Sequence, residues 1–204
     1  QRLGSVFAPA RFEHLPMVVF DHHITNTFFG TVNVVDSSLA STSELVLRLI
    51  KQMSIPILPE IASALLTGII TDTLAFRTSN TTPDTLASAM ELMRHGAPLM
   101  DITRNALVMR SWESIRLQGG GIIATQIENR VAYAAITRKL RKELGVREER
   151  GDGGLVGTLI TAYEADIAAV FVELSSGDVE VGFRAAPGFD VSQVAVELGG
   201  GGHP

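Results

Sequence analysis

Cysteine is absent from the 204 residues. Disulfides and thiolate metal sites are therefore excluded, any metal must sit on histidine and carboxylate ligands, and a reducing cytoplasm is the location that fits. Long apolar runs are missing as well. The stretch "IPILPEIASALLTGII" is broken by Pro, Glu, Ser, Thr and Gly before it reaches the roughly 18 residues of a membrane span. Positive charge is in deficit: 17 Lys and Arg stand against 22 Asp and Glu, a formal net charge of −5. That balance argues against wrapping long duplex DNA, while a small anion in a local basic pocket stays open. Aromatic residues make up 6% with a single tryptophan, so Trp112 reads as interdomain packing before it reads as a base-stacking platform. No repeat or low-complexity tract occurs, and no signal-peptide pattern opens the chain, which begins with Gln.

What is present is enough apolar material, 46% hydrophobic, for one large domain or two small ones. Residues 17–20, 32–35 and 65–71 read as strands or buried segments. Between them "STSELVLRLIKQM" and "TPDTLASAMELMRHGA" read as amphipathic helices with Ser or Thr caps. The alternation predicts an α/β domain with a largely parallel sheet. Residues 102–118 have helical spacing and run into "GGG", a breaker, which predicts a connector helix between domains. The second half alternates "GIIATQIE", "VAYAAIT", a charged helix, "GLVGTLITAY" and a hairpin, "IAAVFVELSSGDVEVGFRA", turning at "SSGD". It predicts a smaller α+β domain.

Three clusters carry chemistry. "MVVFDHH" delivers Asp21, His22 and His23 directly after an apolar strand, and ligands gather beyond the carboxyl ends of strands in open α/β sheets. Taken alone, an adjacent histidine pair in a loop fits surface decoration as well as catalysis. The second cluster, "LLTGIITDTLAFRTSNTTPDTL", reads as another strand, 65–70, followed by Asp72, then Arg77 and a polar turn into a helix capped near Thr81 or Thr82. The third is the terminal "ELGGGGHP", where Gly200, Gly201 and Gly202 allow close backbone approach to an anion beside His203; a plain glycine-rich tail is the alternative.

In order and spacing, "VVFDHHITNTFFGTVNVVDSSLASTSELV", "GIITDTLAFRTSNTTPDTLASAMELMRHGA" and "FRAAPGFDVSQVAVELGGGGHP" resemble the DHH phosphoesterases with a C-terminal DHH-associated domain, in the nanoRNase and pAp-phosphatase branch. The resemblance implies a manganese-dependent enzyme with two Mn²⁺ ions between the domains, hydrolysing short oligoribonucleotides or pAp. Cyclic or linear dinucleotides are the alternative substrates, and a homodimer is left open. It implies residues 1–101 as part of the metal-binding domain, 102–118 as connector and 119–204 as the substrate-binding domain. His22 and Asp72 would be metal ligands, Asp21 would support them, and His23 would contact the scissile phosphate. Arg184, with Arg77, Gly200, Gly201, Gly202 and His203, would hold the substrate. The family's two earlier acidic motifs do not occur, so the expectation is a piece of a longer protein; a non-catalytic nucleotide-binding module is the reading of another class.

The residue types agree with that chemistry. Imidazole with carboxylate oxygen suits Mn²⁺, and paired ions can steady both oxygens of an in-line displacement. Arg184 offers a planar fork to phosphate, or else is a solvated strand arginine. "RKLRKELGVREER", residues 138–150, with six basic and three acidic residues, reads as a solvated helix and loop in preference to an RNA-contacting patch. His14 and His95 read as surface or helix-end residues.

Overall fold

The computed structural model describes residues 15–147 and 151–200, and the chain divides into two compact units after Met109. It is an α/β protein. In the first unit, β-branched and aromatic residues form two short strands, β1 (Val18–Asp21) and β2 (Val32–Val35), paired in parallel with Val18 opposite Val32 and Asp21 opposite Val35. Parallel pairing brings both carboxyl ends to one edge, and the Asp36 amide donates to the Asp21 carbonyl at 3.1 Å. That edge is where the Asp21-His22-His23 triplet emerges.

Helices follow: α1 (Thr42–Gln52), α2 (Pro59–Asp72), α3 (Pro83–Arg94) and the short α4 (Leu99–Thr103), which runs into a π-helical turn, Arg104–Val108. Ser41 caps α1 by accepting the Ser43 amide. Thr82 and Thr85 form a reciprocal capping box at the start of α3, with Pro83 in the first position. Leu47, Leu66, Ile69, Ile70 and Leu92 are buried in the core these helices share.

Residues 65–70, expected as a strand, are helical. Ala62, Leu65, Leu66, Ile69 and Ile70 are all buried on α2, a spacing of three and four residues that only a helix brings to one face. Each large side chain so buried contributes about 1.5–3 kcal/mol, enough to override the strand preference of the isoleucines. Asp72 therefore ends a helix.

In the second unit, α5 (Trp112–Ile123) leads to β3 (Gln126–Glu128), β4 (Val131–Ile136), α6 (Arg138–Leu144), α7 (Leu155–Leu159), β5 (Ile167–Glu173), β6 (Val179–Ala185) and α8 (Ser192–Glu197). The sheet order is β3-β4-β5-β6, with β4 and β5 parallel and the outer pairs antiparallel. Leu117, Ile136, Leu155 and Val170 centre its own core. The β5–β6 hairpin turns where "SSGD" predicts.

The connector differs from expectation. Residues 102–118 are not one helix: helical structure stops at Val108 and restarts at Trp112, with Ser111 accepting the Ser114 amide as the new cap. Nor does "GGG" break the chain, since all three glycines lie inside α5. A Cβ at Gly120 would come within 2.6 Å of Leu144, and one at Gly121 within 2.4 Å of Leu155. Glycine there lets the Leu144 and Leu155 side chains pack close against α5, which offsets its low helix propensity. Among the described residues no helix is long and apolar enough to cross a membrane.

Candidate functional site

The end of β1 is built around one carboxylate. Asp21 Oδ1 accepts the backbone amides of His22 at 2.8 Å and His23 at 3.1 Å, and His23 Nδ1 donates to it at 2.5 Å. Asp21 Oδ2 accepts from the Asn26 side-chain amide at 2.6 Å. Burial alone would push the carboxyl upward; hydrogen bonds from Asn26 and His23, with the charge of His23, outweigh it and hold Asp21 well below the usual carboxylate range. Asp21 is thus an orienting anion. It fixes Nδ1 of His23 as the protonated nitrogen and directs the chemistry of that ring to Nε2.

His22 is held differently. The residue is 9% exposed, and Nδ1 lies 3.2 Å from the Leu39 carbonyl, which can only accept, so Nδ1 carries the proton. Nε2 then presents a lone pair and lies 3.7 Å from Asp72 Oδ2. An imidazole nitrogen and a carboxylate oxygen facing one another form a pair that a cation can bridge. A carbonyl that fixes the tautomer of a histidine from behind is the usual outer support of a metal-ligating imidazole.

The segment supplying that carbonyl is itself anchored. Glu44, 2% exposed on α1, accepts the Ala40 amide at 3.0 Å and the Thr85 hydroxyl at 3.3 Å, and so ties Leu39–Ser41 to α1 and α3. The sequence reading missed Glu44 and Asn26. "STSE" is a capping-box pattern that could have marked Glu44, although the carboxylate takes the amide before Ser41 and not that of Ser41 itself. Asn26 carries no signal, because a side chain reaching back five residues leaves no periodic trace.

Asp72 is followed by unusual backbone. Leu74, Ala75 and Phe76 have φ of 48°, 58° and 64°, three consecutive non-glycine residues in the left-handed region. Buried Thr73 holds the turn: its hydroxyl donates to the Ile69 carbonyl at 2.7 Å and accepts the Phe76 amide at 3.0 Å. Arg77 leaves this turn exposed, with Nε donating to the Leu74 carbonyl at 2.7 Å.

His22, His23, Asp21 and Asp72 thus come together in the first unit. In the second, Arg184 is exposed on β6 opposite Ala168, and Nη1 donates to the neighbouring Phe183 carbonyl at 2.9 Å. Gly199 (φ 81°) and Gly200 close α8: their amides donate to the carbonyls of Val196 at 2.9 Å and Ala195 at 2.8 Å. The first amides of the glycine run are therefore engaged by the helix end. Gly201, Gly202 and His203 lie outside the described residues. Among the described residues no group of three or more metal-type ligands is assembled, so His22 and Asp72 fit a cation as a pair.

Comparison with known proteins draws the two units together. No family model matches the chain. It is similar to the "Bifunctional oligoribonuclease and PAP phosphatase NrnA" of Thermus thermophilus, 36% identical over 203 residues, covering 96% of this chain and 60% of that protein. The protein of the same name from Mycoplasma pneumoniae is 31% identical over 184 residues, covering 90% of this chain and 56% of its own length. Among solved structures, an exopolyphosphatase-related protein from Bacteroides fragilis matches with a TM-score of 0.82 at 25% identity, over 91% of this chain and 56% of that one. The chain spans about 60% of the length of the first of these relatives. Each likeness runs through both units, and together these similarities support the resemblance to the DHH phosphoesterases, in the nanoRNase branch.

Proposed function

We propose that the full-length protein is a metal-dependent phosphoesterase that hydrolyses short oligoribonucleotides, pAp, or both. One observation carries this reading: a histidine whose tautomer is fixed by a carbonyl faces the Asp72 carboxylate at 3.7 Å, next to an Asp21–His23 pair. The names of the relatives support the substrate class. His22 Nε2 and Asp72 would hold a divalent ion, with Mn²⁺ preferred for its mixed nitrogen and oxygen ligands and two ions expected in the full-length protein. Bound ions would supply Lewis acidity, neutralising phosphoryl charge and making water acidic enough to attack at neutral pH.

The chain's own residues would do the positioning. Asp21 holds Nδ1–H of His23, so that His23 Nε2 meets a phosphoryl oxygen and, when protonated, donates to it. Arg184 would pair its guanidinium with a second phosphate, assisted by Arg77 and by Gly200, Gly201, Gly202 and His203. A nucleotide-binding module without catalysis is the second reading, favoured by the two-ligand set among the described residues.

Hydrolysis of short RNAs, pAp and cyclic and linear dinucleotides by the full-length protein, with Mn²⁺, with Mg²⁺ or with EDTA, tests the proposal. Mn²⁺ should activate better than Mg²⁺, and EDTA should abolish turnover. Full activity in excess EDTA would reject the metal reading. Tight binding of the panel without turnover would establish the module.

A further inference from the structure

A second concentration of chemistry lies in the second unit, apart from every residue assigned above. Arg138, Arg141, Lys142 and Arg147 line one cavity of about 250 Å³, together with Val146, Glu173 and Ser175. The stretch that reads as a solvated charged helix therefore sorts its charges. Arg138, Arg141 and Lys142 stand at i, i+3 and i+4, so α6 brings three cations to one face. Lys139 and Glu143 neutralise each other elsewhere on the helix at 3.8 Å.

Like charges at that spacing repel, and the fold gathers them where an anion of opposite charge would reverse the sign. Among the described residues, two nearby acids each take a backbone amide. Glu173 accepts the Arg138 amide at 2.9 Å, and Glu113 accepts the Arg147 amide at 3.2 Å. Arg141 is 5% exposed, with Nη2 donating to the Gly151 carbonyl at 2.6 Å, so one guanidinium is fixed at the wall while Arg138, Lys142 and Arg147 are exposed at the rim. The exposed forks of Arg138 and Arg147 and the Lys142 ammonium match the oxygens of a phosphate better than a single carboxylate.

We propose that this cavity is a second phosphate-binding site, taking the phosphate of a nucleotide or of an RNA backbone. It rests on the second unit alone, so its failure leaves the phosphoesterase reading untouched, and the converse holds.

The test is titration of the ¹⁵N-labelled 204-residue chain with inorganic phosphate, with AMP and with a short 5′-phosphorylated oligoribonucleotide, followed by amide shifts. Perturbation should centre on Lys142, Val146, Arg147 and Ser175. The triple variant Arg138→Gln, Lys142→Gln, Arg147→Gln keeps the buried Arg141 and should bind each ligand at least about tenfold more weakly. Lys139→Gln, on the other face of α6, should change affinity by less than about twofold. Affinity that rises from phosphate to oligoribonucleotide identifies an RNA backbone; equal affinity identifies the free anion. No shift at these four amides, whatever happens near Arg184, or equal loss in the triple variant and Lys139→Gln, would overturn the site. A triple variant that keeps its dispersed amide spectrum and binds as before would do the same.

Discussion

In the first unit the Asp21 carboxylate receives four hydrogen bonds from residues within five positions of it, whereas in the second unit the Arg184 guanidinium is exposed and donates to the carbonyl of its own neighbour. Both are charged groups assigned to phosphate chemistry, yet one is set in place before any ligand arrives and the other must be ordered by it. A group that polarises or protonates reacting atoms acts through fixed geometry, where misplacement by about an ångström is costly. A group that only attracts a phosphate tolerates reorientation, at the expense of side-chain entropy on binding. On the proposed roles, the chain is preset where a bond would break and adaptable where a substrate would be gripped.

The sharpest way to break this comparison is Asp72→Ala in the full-length protein. Asp72 is at the end of α2 with its side chain 41% exposed, so its loss should leave the fold intact and lower activity by several orders of magnitude. Near-native turnover at saturating metal would remove Asp72 from the site. The second change is Asp21→Asn, which keeps the shape but not the charge that orients His23; kcat should fall by about 10²–10⁴-fold with KM little altered.

The same variant has a signature in stability. Burial raises the Asp21 carboxyl, but hydrogen bonds from Asn26 and His23 lower it further. A carboxyl depressed in the folded state contributes stability that is whole above its unfolded value of about 4 and is lost as the pH falls through the folded value below it. Urea midpoints between about pH 5 and 2 should therefore decline more steeply in the unaltered protein than in Asp21→Asn. Parallel declines would show that the network does not depress Asp21.

The smallest effect concerns the second unit. A charge-assisted hydrogen bond contributes about 1.5–3 kcal/mol, so Arg184→Ala should raise KM roughly ten- to a hundredfold for substrates with a 5′-phosphate and leave those without it nearly unchanged. Equal slowing of both would make Arg184 a solvated strand residue, and the contrast between the units would lose its functional meaning.

Much of this was legible in the sequence because the signals were local. Ser41 and Thr82 marked helix starts, "SSGD" marked a hairpin, and the apolar run before Asp21 marked a strand with chemistry at its end. The misreadings arose where distant contacts decided the outcome. "LLTGII" is too short to distinguish a buried strand from a helix, and the stripe that settles it begins at Ala62. Gly120 and Gly121 look like breakers until Leu144 and Leu155 are known to press against them. Glu44 carried only a capping-box signal, and its tie to α3 stayed hidden for the same reason, since Thr85 is 41 positions away.

The left-handed turn after Asp72 matters to anyone engineering this protein for heat resistance. Each non-glycine residue in that region costs roughly 1–2 kcal/mol, so Leu74, Ala75 and Phe76 form a reserve that glycine substitution would release. A screen that rewards survival alone would be drawn to these positions. Its winners would slacken the backbone beside Asp72 and, if Asp72 has the proposed role, trade alignment of that carboxylate for thermal endurance.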